Sequence, residues 1–442
     1  MQWQEEYKKK MITAEEAAGM VKSGDRVIFS AGRETVSFGR ALAARRNELK
    51  NVWLFMPNPI YDFGWYAPDW QDSFRVTIGL PTIISQEALD ATRVDFEVGS
   101  LVPYEEGPET HNRRPDIFLV EVSEPDERGF CSFGSSVWNK RRHIKEAKVT
   151  VAEVNKTLIR TYGDNYVHVS EIDYFVEHVT TGRVLGAGTL ASRQPKAPEP
   201  YVKRIAELVN ELLRDGDTLQ IGIGRTTEPM IKLGLLNGKK DIGWHSEATP
   251  PGVIEMVRKG VINGARKTVN PGKCVVTSIG GGGKEEMEYV NMNPLFLLVD
   301  VVYLEDLRVI AAHDNFVAIN NSLMVDLGGQ IASETLGTRL MSQAGGQIAF
   351  VTGATMSKGG RAITCLPSTA QDGKVSRIVP TLPQGTVVTI QRNMADYIVT
   401  EYGVARVKGK TIRQRAEELI NISHPDFREE LRREAKKLFG EG

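Results

Sequence analysis

One pattern of helix, strand and turn is written twice in this chain. The first copy, AEEAAGMVKSGDRVIFSAGR, runs from an apolar helical repeat through a Gly-Asp pair and an apolar strand to a glycine turn. The second copy, IAELVNELLRDGDTLQIGIGR, has the same order, and its Gly216-Asp217 pair follows Gly24-Asp25 by 192 residues. Glycine after a helical repeat marks a helix end, and a short apolar run after it predicts a buried strand. The repetition therefore predicts two related α/β halves.

Other apolar runs in the chain are typical of strands that are buried on both faces. They alternate with helical patterns, which predicts two related open α/β domains of mostly parallel sheet with helices on both faces. These runs are IFLVEVS (117–123), VTVAEV (149–154), CVVTSI (274–279), LFLLVDVV (295–302) and TVVTI (386–390). Amphipathic helical patterns with many charges, TIRQRAEELINIS and FREELRREAKKLF, end the sequence.

A proline-rich stretch separates the two copies of the pattern. The segment 192–200, SRQPKAPEP, has three prolines, which stiffen a chain and remove backbone donors. A length of 442 residues also favours two domains over one. We therefore expect an N-terminal domain over 1–191, a connector over 192–200 and a C-terminal domain over 201–442.

Composition excludes several kinds of partner and compartment. The formal net charge is -1, which gives no basis for binding nucleic acid or an anionic membrane. No apolar run approaches the ~18 residues of a membrane-spanning helix, and the start MQWQEEYKKK lacks the apolar stretch of a signal peptide. Three widely spaced cysteines are typical of a reducing compartment, so we expect a cytoplasmic protein.

Several known motifs fail in detail. The loop GIGRTT (222–227) follows a strand and precedes a predicted helix, but Thr227 stands where a dinucleotide fingerprint needs glycine or alanine. Its amides and the helix start remain suited to a phosphate. In GGGGKE (280–285), Glu285 replaces the Ser or Thr that a P-loop uses to bind Mg²⁺. The sequence also has no H-x-x-x-H, C-x-x-C or G-x-S-x-G pattern, so zinc and a serine nucleophile are not expected.

Glu247 is a lone carboxylate in the stretch GWHSEATPPGV. The run 240–246 predicts a short strand, and ligands collect at the carboxyl ends of parallel strands. A carboxylate there can attack an acyl carbon, provided that backbone donors stabilise the oxyanion; the segment 342–347, SQAGGQ, supplies such donors. The alternative is a structural carboxylate favoured by the dipole of a helix over 252–259. Spacing alone favours this structural alternative.

Ten motifs in order resemble the family I coenzyme A transferases, in the branch of 4-hydroxybutyrate CoA-transferase and acetyl-CoA hydrolase/transferase. The resemblance covers nearly the whole chain. The motifs are SEPDERG (123–129), HVSEID (168–173), QIGIG (220–224), HSE (245–247), VAIN (317–320), GGQ (345–347), SKGG (357–360), LPST (366–369), KVSR (374–377) and VTEYGV (399–404).

The resemblance implies a fold, a chemistry and a set of site residues. The fold is a pair of related α/β domains of the NagB/RpiA/CoA-transferase type. Glu247 matches the family's catalytic glutamate, which forms an acyl anhydride and then a thioester with CoA. Gly345 and Gly346 match the glycine motif of the oxyanion site. The residues that match contacts to CoA are Gly222, Ile223, Gly224, Arg225, Thr226 and Asn320.

The same resemblance implies that CoA and acyl-CoA are substrates, with no metal or prosthetic group, and that the enzyme is a homodimer or tetramer. Lys358 is a further candidate for a CoA phosphate, with a solvated loop lysine as the alternative. Gln343, Ala349 and the segment 248–251 depart from the family pattern near the expected acyl pocket, which leaves the acyl group open.

Three other functions remain open at this point. An acyl-CoA hydrolase would use the same glutamate and end the cycle with water. A non-catalytic acyl-CoA sensor would not need Glu247. A sugar-phosphate isomerase of related topology would need an acid/base pair in place of a lone nucleophile.

Overall fold

The computed structural model describes residues 2–99, 114–180, 198–280 and 283–440. Contacts between residues divide the chain into two compact units. Unit 1 consists of Met1–Gln194 and Val276–Tyr303, and unit 2 consists of Pro195–Val275 and Leu304–Gly442. No pattern in the sequence predicted that the segment 276–303 groups with unit 1. The predicted connector over 192–200 lies mostly outside the described residues, so the domain boundaries stay a prediction.

The described helices are short, and the longest has 15 residues. None of them is long and apolar enough to cross a membrane. Their bounds are α1 Gln2–Lys10, α2 Ala14–Gly19, α3 Val36–Ala44, α4 Gln86–Asp90, α5 Lys140–Glu146, α6 Pro200–Leu212, α7 Val253–Arg258, α8 Lys284–Val290, α9 Val301–Leu304, α10 Leu307–Ala311, α11 Gln347–Met356, α12 Ile412–Asn421 and α13 Pro425–Phe439.

The described strands are also short and are mostly buried. Their bounds are β1 Arg26–Phe29, β2 Val52–Met56, β3 Phe74–Ile78, β4 Asp95–Phe96, β5 Ile117–Val122, β6 Phe130–Ser132, β7 Val149–Val154, β8 Tyr162–Gly163, β9 Tyr166–His168, β10 Tyr174–Glu177, β11 Thr218–Ile221, β12 Gly243–Thr249, β13 Cys274–Ile279, β14 Phe296–Leu298, β15 Phe316–Asn321, β16 Met324–Asp326, β17 Ile331–Ala332, β18 Thr335–Leu336, β19 Arg339–Leu340, β20 Arg361–Cys365, β21 Thr369–Ala370, β22 Val375–Ser376, β23 Ile378–Val379, β24 Tyr397–Thr400 and β25 Gly403–Arg406.

The main sheet of unit 1 is parallel throughout, in the order β10-β7-β5-β1-β2-β3-β4. Alternate residues of β1 enter different hydrophobic clusters, as the period of a strand requires. Val27 and Phe29 pack with residues of α2 and α3. Ile28 packs on the other face with Ile144 of α5 and with α1. The prediction of helices on both faces of a parallel sheet is confirmed in this unit.

Unit 2 has strands in the order β25-β24-β20-β15-β11-β12, parallel except for the antiparallel pair β24–β25. The register pairs Ile221 of β11 with Ile319 of β15. The carboxyl ends of these two strands therefore lie side by side. Helices α12 and α13 pack with α11 over a cluster of buried apolar side chains.

The repeated sequence pattern adopts the same local structure in both units. Gly24 and Gly216 both have a left-handed backbone, with φ of 86° and 83°. The next residue, an aspartate, accepts a backbone N–H from three residues earlier: Lys22 N–H donates to Asp25 at 2.8 Å and Arg214 N–H to Asp217 at 2.7 Å. This shared turn starts β1 in one unit and β11 in the other, so the relation between the halves extends to their hydrogen bonds.

Two predicted strands were wrong in whole or in part. The run TVVTI (386–390) forms no strand and makes one isolated bridge, Ile331 with Ile390. Val387 and Val388 are 45% and 36% exposed, so this apolar run has no sheet to cover it. The run LFLLVDVV contributes only β14, and its end forms α9.

Candidate active site

Glu247 lies within β12, against the N-terminus of α11. Its carboxylate is buried and accepts the backbone N–H of Gly346, the N-cap of α11, although Glu247 as a whole residue is partly exposed. Unpaired N–H groups and the helix dipole make a helix N-terminus favourable for an anion. The structural alternative for Glu247 assumed that the dipole of a helix over 252–259, which is α7, favours its carboxylate. The helix end that holds this carboxylate belongs to α11.

The two glycines before α11 serve different needs. Gly346 has an ordinary φ of -74°, but a Cβ on it would lie 2.7 Å from Oε2 of Glu247 and 2.6 Å from the ring of Phe350. Glycine is therefore needed at this position because there is no room for a side chain. A Cβ added at Gly345 would have no atom within 4 Å, so space is not limiting there. Gly345 has a φ of +54°, a left-handed backbone conformation that favours glycine.

A second carboxyl group, that of Glu305, is hydrogen-bonded to Glu247. Burial and the negative charge of Glu247 raise the pKa of Glu305 well above its ordinary value. Burial also raises the pKa of Glu247, against the opposing effect of the hydrogen bonds from Glu305 and Gly346. Glu305 was not predicted from the sequence, because it lies in a turn after α9 and in none of the ten family motifs.

His245 holds the turn that carries Glu305. Its side chain lies on the same face of β12 as Glu247, since alternate residues of a strand share a face. Nε2 of His245 lies 2.8 Å from the backbone oxygen of Leu304, and a carbonyl only accepts, so Nε2 carries the proton. Burial, together with His313 and Lys267, lowers the pKa of His245 well below its ordinary value. The ring is therefore neutral and orients its neighbours.

The predicted CoA loop and Asn320 come together at the carboxyl edge of the unit 2 sheet. Gly222 N–H donates to Ile319 O at 2.8 Å, and a Cβ on Gly222 would lie 2.3 Å from Oδ1 of Asn320. The Asn320 amide exchanges two hydrogen bonds with the amide of Gln220, at 3.1 and 3.0 Å. Asn320 thus packs against the loop at Gly222, and its side chain is held in place by the two hydrogen bonds with Gln220.

The helix expected after this loop is absent. Residues 224–238 form a series of turns, in which Glu228 N–H donates to Gly224 O at 2.9 Å and Met230 N–H to Thr227 O at 3.2 Å. Pro229 has no N–H, and Gly234 has a φ of +98°, so a regular helix cannot continue here. Any phosphate bound at this loop would meet turn amides and side chains.

The two basic candidates lie at different places in unit 2. Arg225 is exposed on the loop, close enough for its charge to act on the partly buried Arg377. Lys358 follows α11 and precedes β20, at the amino edge of the sheet. Its side chain is 88% exposed and lies 4.0 Å from Asp314. The structure therefore does not bring Lys358 together with the other candidates.

A buried amide lies at the start of α11, next to the Gly346 N-cap. Nε2 of Gln347, the first residue of α11, is buried and has no hydrogen-bond partner among the described residues. All three cysteines of the chain are buried and free. No group of three or more His, Cys, Asp or Glu side chains that could hold a metal occurs in the described parts of the chain.

Comparisons with known proteins agree over the full length. Residues 1–181 match the acetyl-CoA hydrolase/transferase N-terminal domain, and residues 282–435 match its C-terminal domain. A 4-hydroxybutyrate coenzyme A transferase of Clostridium kluyveri is 41% identical over 99% of this chain and 100% of its own. A succinyl-CoA:cyclohexane-1-carboxylate CoA transferase of Geobacter metallireducens is 37% identical over 99% of this chain and 97% of its own.

Solved structures give the same result. The 4-hydroxybutyrate CoA-transferase of Porphyromonas gingivalis has a TM-score of 0.78 at 35% identity, over 99% of this chain and 100% of that one. RipA from Yersinia pestis has a TM-score of 0.88 at 30% identity, over 99% of both chains. The chain therefore belongs to the acetyl-CoA hydrolase/transferase family, as a coenzyme A transferase.

Proposed function

We propose that this enzyme moves CoA between a short-chain acyl-CoA, such as acetyl-CoA, and a small carboxylic acid, with Glu247 as the covalent nucleophile. The observation that carries the proposal is the position of Glu247. Its buried carboxylate is held by the Gly346 N–H at a helix N-terminus. A carboxylate that is fixed in this way suits nucleophilic attack on an acyl carbon.

The reaction proceeds by a ping-pong sequence. One oxygen of Glu247 attacks the thioester carbon of the donor, and the C–S bond breaks. CoA leaves as thiolate, and a mixed anhydride between Glu247 and the acyl group of the donor is formed. The thiolate then attacks the carboxyl carbon of Glu247, and the donor acid leaves as carboxylate. The resulting glutamyl-CoA thioester reacts with the acceptor acid by the same steps in reverse, which regenerates the Glu247 carboxylate.

Two kinds of oxyanion arise in this sequence. One forms on the acyl carbon of the substrate, and the other forms on the carboxyl carbon of Glu247 itself. The Gly346 N–H already donates to the Glu247 carboxylate, so this donor suits the second oxyanion. For the first, we propose the Gly345 N–H, which lies next to it on an exposed turn.

We propose that CoA binds along the loop of Gly222, Ile223, Gly224, Arg225 and Thr226. The loop lies at the carboxyl edge of β11, where ligands of open parallel sheets collect. Its exposed Arg225, near Arg377, supplies positive charge for the phosphates of CoA. Asn320 supports the loop from β15. Lys358 is left out because it lies at the opposite edge.

The names of three relatives state different acids: 4-hydroxybutyrate, cyclohexane-1-carboxylate and butyrate. We therefore propose small carboxylic acids as the class of acceptor. Gln343 and the buried Ala349 lie just before and within α11, the helix whose N-cap donates to Glu247, and we propose that they shape the acyl pocket. Assembly as a homodimer or tetramer and a cytoplasmic location complete the proposal.

The test is to trap the covalent intermediate. Enzyme mixed with acyl-CoA alone is quenched and digested, and mass spectrometry is expected to find CoA on the peptide containing Glu247. Borohydride is expected to inactivate the same mixture by reducing the thioester. Glu247→Gln should lose the adduct and more than about 10³-fold in transfer rate, because a neutral amide does not attack. Glu255→Gln, an exposed position on the neighbouring α7, is the matched control.

An adduct on another residue, or a fully active Glu247→Gln enzyme, rules the proposal out. The hydrolase alternative is tested in the same preparation by measuring thiol release from acetyl-CoA. Transfer keeps CoA as a thioester throughout, so it predicts no continuous thiol release in either condition: about one equivalent of CoA becomes bound per site without an acceptor acid, and the acyl-CoA of the acceptor accumulates when one is present. A hydrolase would release thiol continuously in both conditions.

A further inference from the structure

We propose that Glu305 is a second catalytic carboxyl group, kept protonated so that its O–H donates to the Glu247 carboxyl and stabilises the oxyanion that forms there. The proposal rests on the nucleophilic role proposed for Glu247. It goes further by naming a donor that the motifs did not contain and by giving the two carboxyl groups different protonation states.

Hydrogen bonding alone requires one proton between the two groups. Carboxylate oxygens are acceptors only, so Glu247 and Glu305 can share a hydrogen bond only when one of them is an acid. The Gly346 N–H donates to Glu247 and lies at the N-terminus of α11, which stabilises negative charge on that group. The proton therefore belongs on Glu305 and the charge on Glu247.

The surroundings of the pair keep this arrangement. Helix α11, against which Glu247 lies, has no ionisable side chain. On β12, the neighbouring ionisable group is His245, which is neutral and bonded to Leu304 O. Beyond the turn, Asp306 and Arg308 form an ion pair at 2.6 Å that faces solvent, with Arg308 90% exposed.

Two more buried basic groups lie behind His245. Burial lowers the pKa of His313 to about 4 and that of Lys267 to about 7. Lys267 donates to the backbone oxygens of Trp244 and Lys273, both at 2.9 Å, so its ammonium is already used by the backbone. Among the described groups, the charge that acts on Glu305 is that of Glu247.

A protonated Glu305 can stabilise the oxyanion that forms on Glu247 during the reaction. When the CoA thiolate attacks the carboxyl carbon of Glu247, a C–S bond forms and negative charge moves onto the carboxyl oxygen of that residue. The Gly346 N–H and the Glu305 O–H then both donate to the oxyanion, and the charge leaves with the donor carboxylate as the anhydride C–O bond breaks. The proton stays on Glu305 throughout. A neutral carboxylic acid serves as such a donor in other enzymes, when a buried site keeps it protonated.

The experiment compares Glu305→Gln, which keeps an N–H donor but cannot ionise, with Glu305→Leu, which has no donor. The readout is the single-turnover rate of thioester formation on Glu247 from pH 6 to pH 10, together with KM for acyl-CoA. Glu429→Gln, an exposed glutamate of unit 2, is the matched control. We expect Glu305→Leu to lose about 10²–10³-fold in rate with KM nearly unchanged.

The pH profile supplies the second readout. Ionisation of Glu305 places a second negative charge beside Glu247, so the wild-type rate should fall at alkaline pH. Glu305→Gln should stay within about tenfold of wild type at neutral pH and should lose this alkaline fall. The proposal is overturned if Glu305→Leu forms the thioester at the wild-type rate, or if Glu305→Gln keeps the wild-type alkaline fall.

These outcomes are separable from failure of the nucleophile. If wild-type enzyme never carries CoA on Glu247, the proposed function itself fails. If wild type and Glu305→Leu carry it equally fast, only the role of Glu305 fails. Thermal unfolding of each variant identifies a misfolded protein, and if Glu305→Leu does not fold, the profile of the more conservative Glu305→Gln decides.

Discussion

Glu247 and Glu305 take opposite protonation states in this site because their surroundings differ. Glu247 receives the Gly346 N–H at a helix N-terminus, whereas Glu305 faces the negative charge of Glu247. Such an arrangement costs stability, since burial opposes the ionised form of each group. Sites that keep groups in unfavourable environments commonly trade stability for activity.

The pKa of Glu305 predicts how this cost depends on pH. A carboxyl whose folded pKa is raised binds more protons in the folded state, so the free energy of unfolding falls as pH rises from its unfolded pKa, about 4.3, through the folded value. Glu305→Gln removes this effect. We expect the variant to be as stable as wild type near pH 4.5 and more stable than wild type at pH 8, as measured by urea unfolding at both pH values. Equal differences at both pH values would contradict the shift.

At this scale the sequence singled out Glu247, whose role as nucleophile stays a prediction, and missed Glu305, the carboxyl group bonded to it. Glu247 stands within the family motif HSE after an apolar run, and this resemblance singled it out where spacing alone favoured a structural role. Glu305 reaches it only through the fold, because the turn after α9 is held to β12 by His245. No local pattern encodes a contact between residues so far apart in the chain. The pairing of Asn320 with Gln220 was missed for the same reason.

Among the elements, the junction of β12 with α11 matters most for function. The strand carries Glu247 and the helix start carries its donor, Gly346. Phe350 on α11 stacks with Phe316 on β15, with ring centroids 6.2 Å apart, which fixes the helix on the sheet. The carboxylate is therefore oriented by regular elements, which are stiffer supports than loops.

A methyl group at Gly346 tests this junction. Its Cβ would lie 2.7 Å from Oε2 of Glu247 and 2.6 Å from Phe350, so the carboxylate or the helix must move. We expect Gly346→Ala to lower kcat by about 10²-fold or more, because small misplacements of a nucleophile are costly. Gly283→Ala is the control, since Gly283 is also an N-cap with φ of -77° and has nothing within 4 Å. If both variants keep wild-type kcat, the close approach has no catalytic role.

Elements with strong local patterns were predicted well, and those that depend on tertiary neighbours were not. β7 and β13 have the bounds that their apolar runs predicted. The run 386–390 is similarly rich in β-branched residues, but its contact with β17 is limited to one isolated bridge, and it stays irregular. The turns over 224–238 replaced a predicted helix because Pro229 and Gly234 interrupt it. Periodicity indicates what a segment can form, and its neighbours decide whether it does.

At the scale of the whole molecule, each unit encloses a lysine in its interior. Lys140 of unit 1 is fully buried and donates to Ser136 O at 2.5 Å. Lys267 of unit 2 is 5% exposed and donates to Trp244 O at 2.9 Å. Burial lowers the pKa of both to about 7. An ammonium group removed from water and without a carboxylate partner becomes neutral at a lower pH than it does in solution.

These lysines predict a rise in stability with pH in each unit. Between about pH 7 and the unfolded pKa of about 10.4, the unfolded chain holds the proton that the folded chain has lost, so the free energy of unfolding increases with pH. Each lysine adds at most about 1.4 kcal/mol per pH unit within this window. This gain is complete above the unfolded pKa and is lost as pH falls toward 7.

Methionine replaces the lysine stem without its charge, so Lys140→Met and Lys267→Met should each flatten this rise, whatever their effect on overall stability. Unfolding in urea at pH 7, 8 and 9 measures the slope, and Lys9→Met, at an exposed position of α1, is the control that should keep the wild-type slope. Because the two lysines lie in different compact units, their effects on the slope should be additive in the double variant. A wild-type slope in both single variants would mean that the buried amines stay charged at neutral pH and that some group outside the described contacts compensates them.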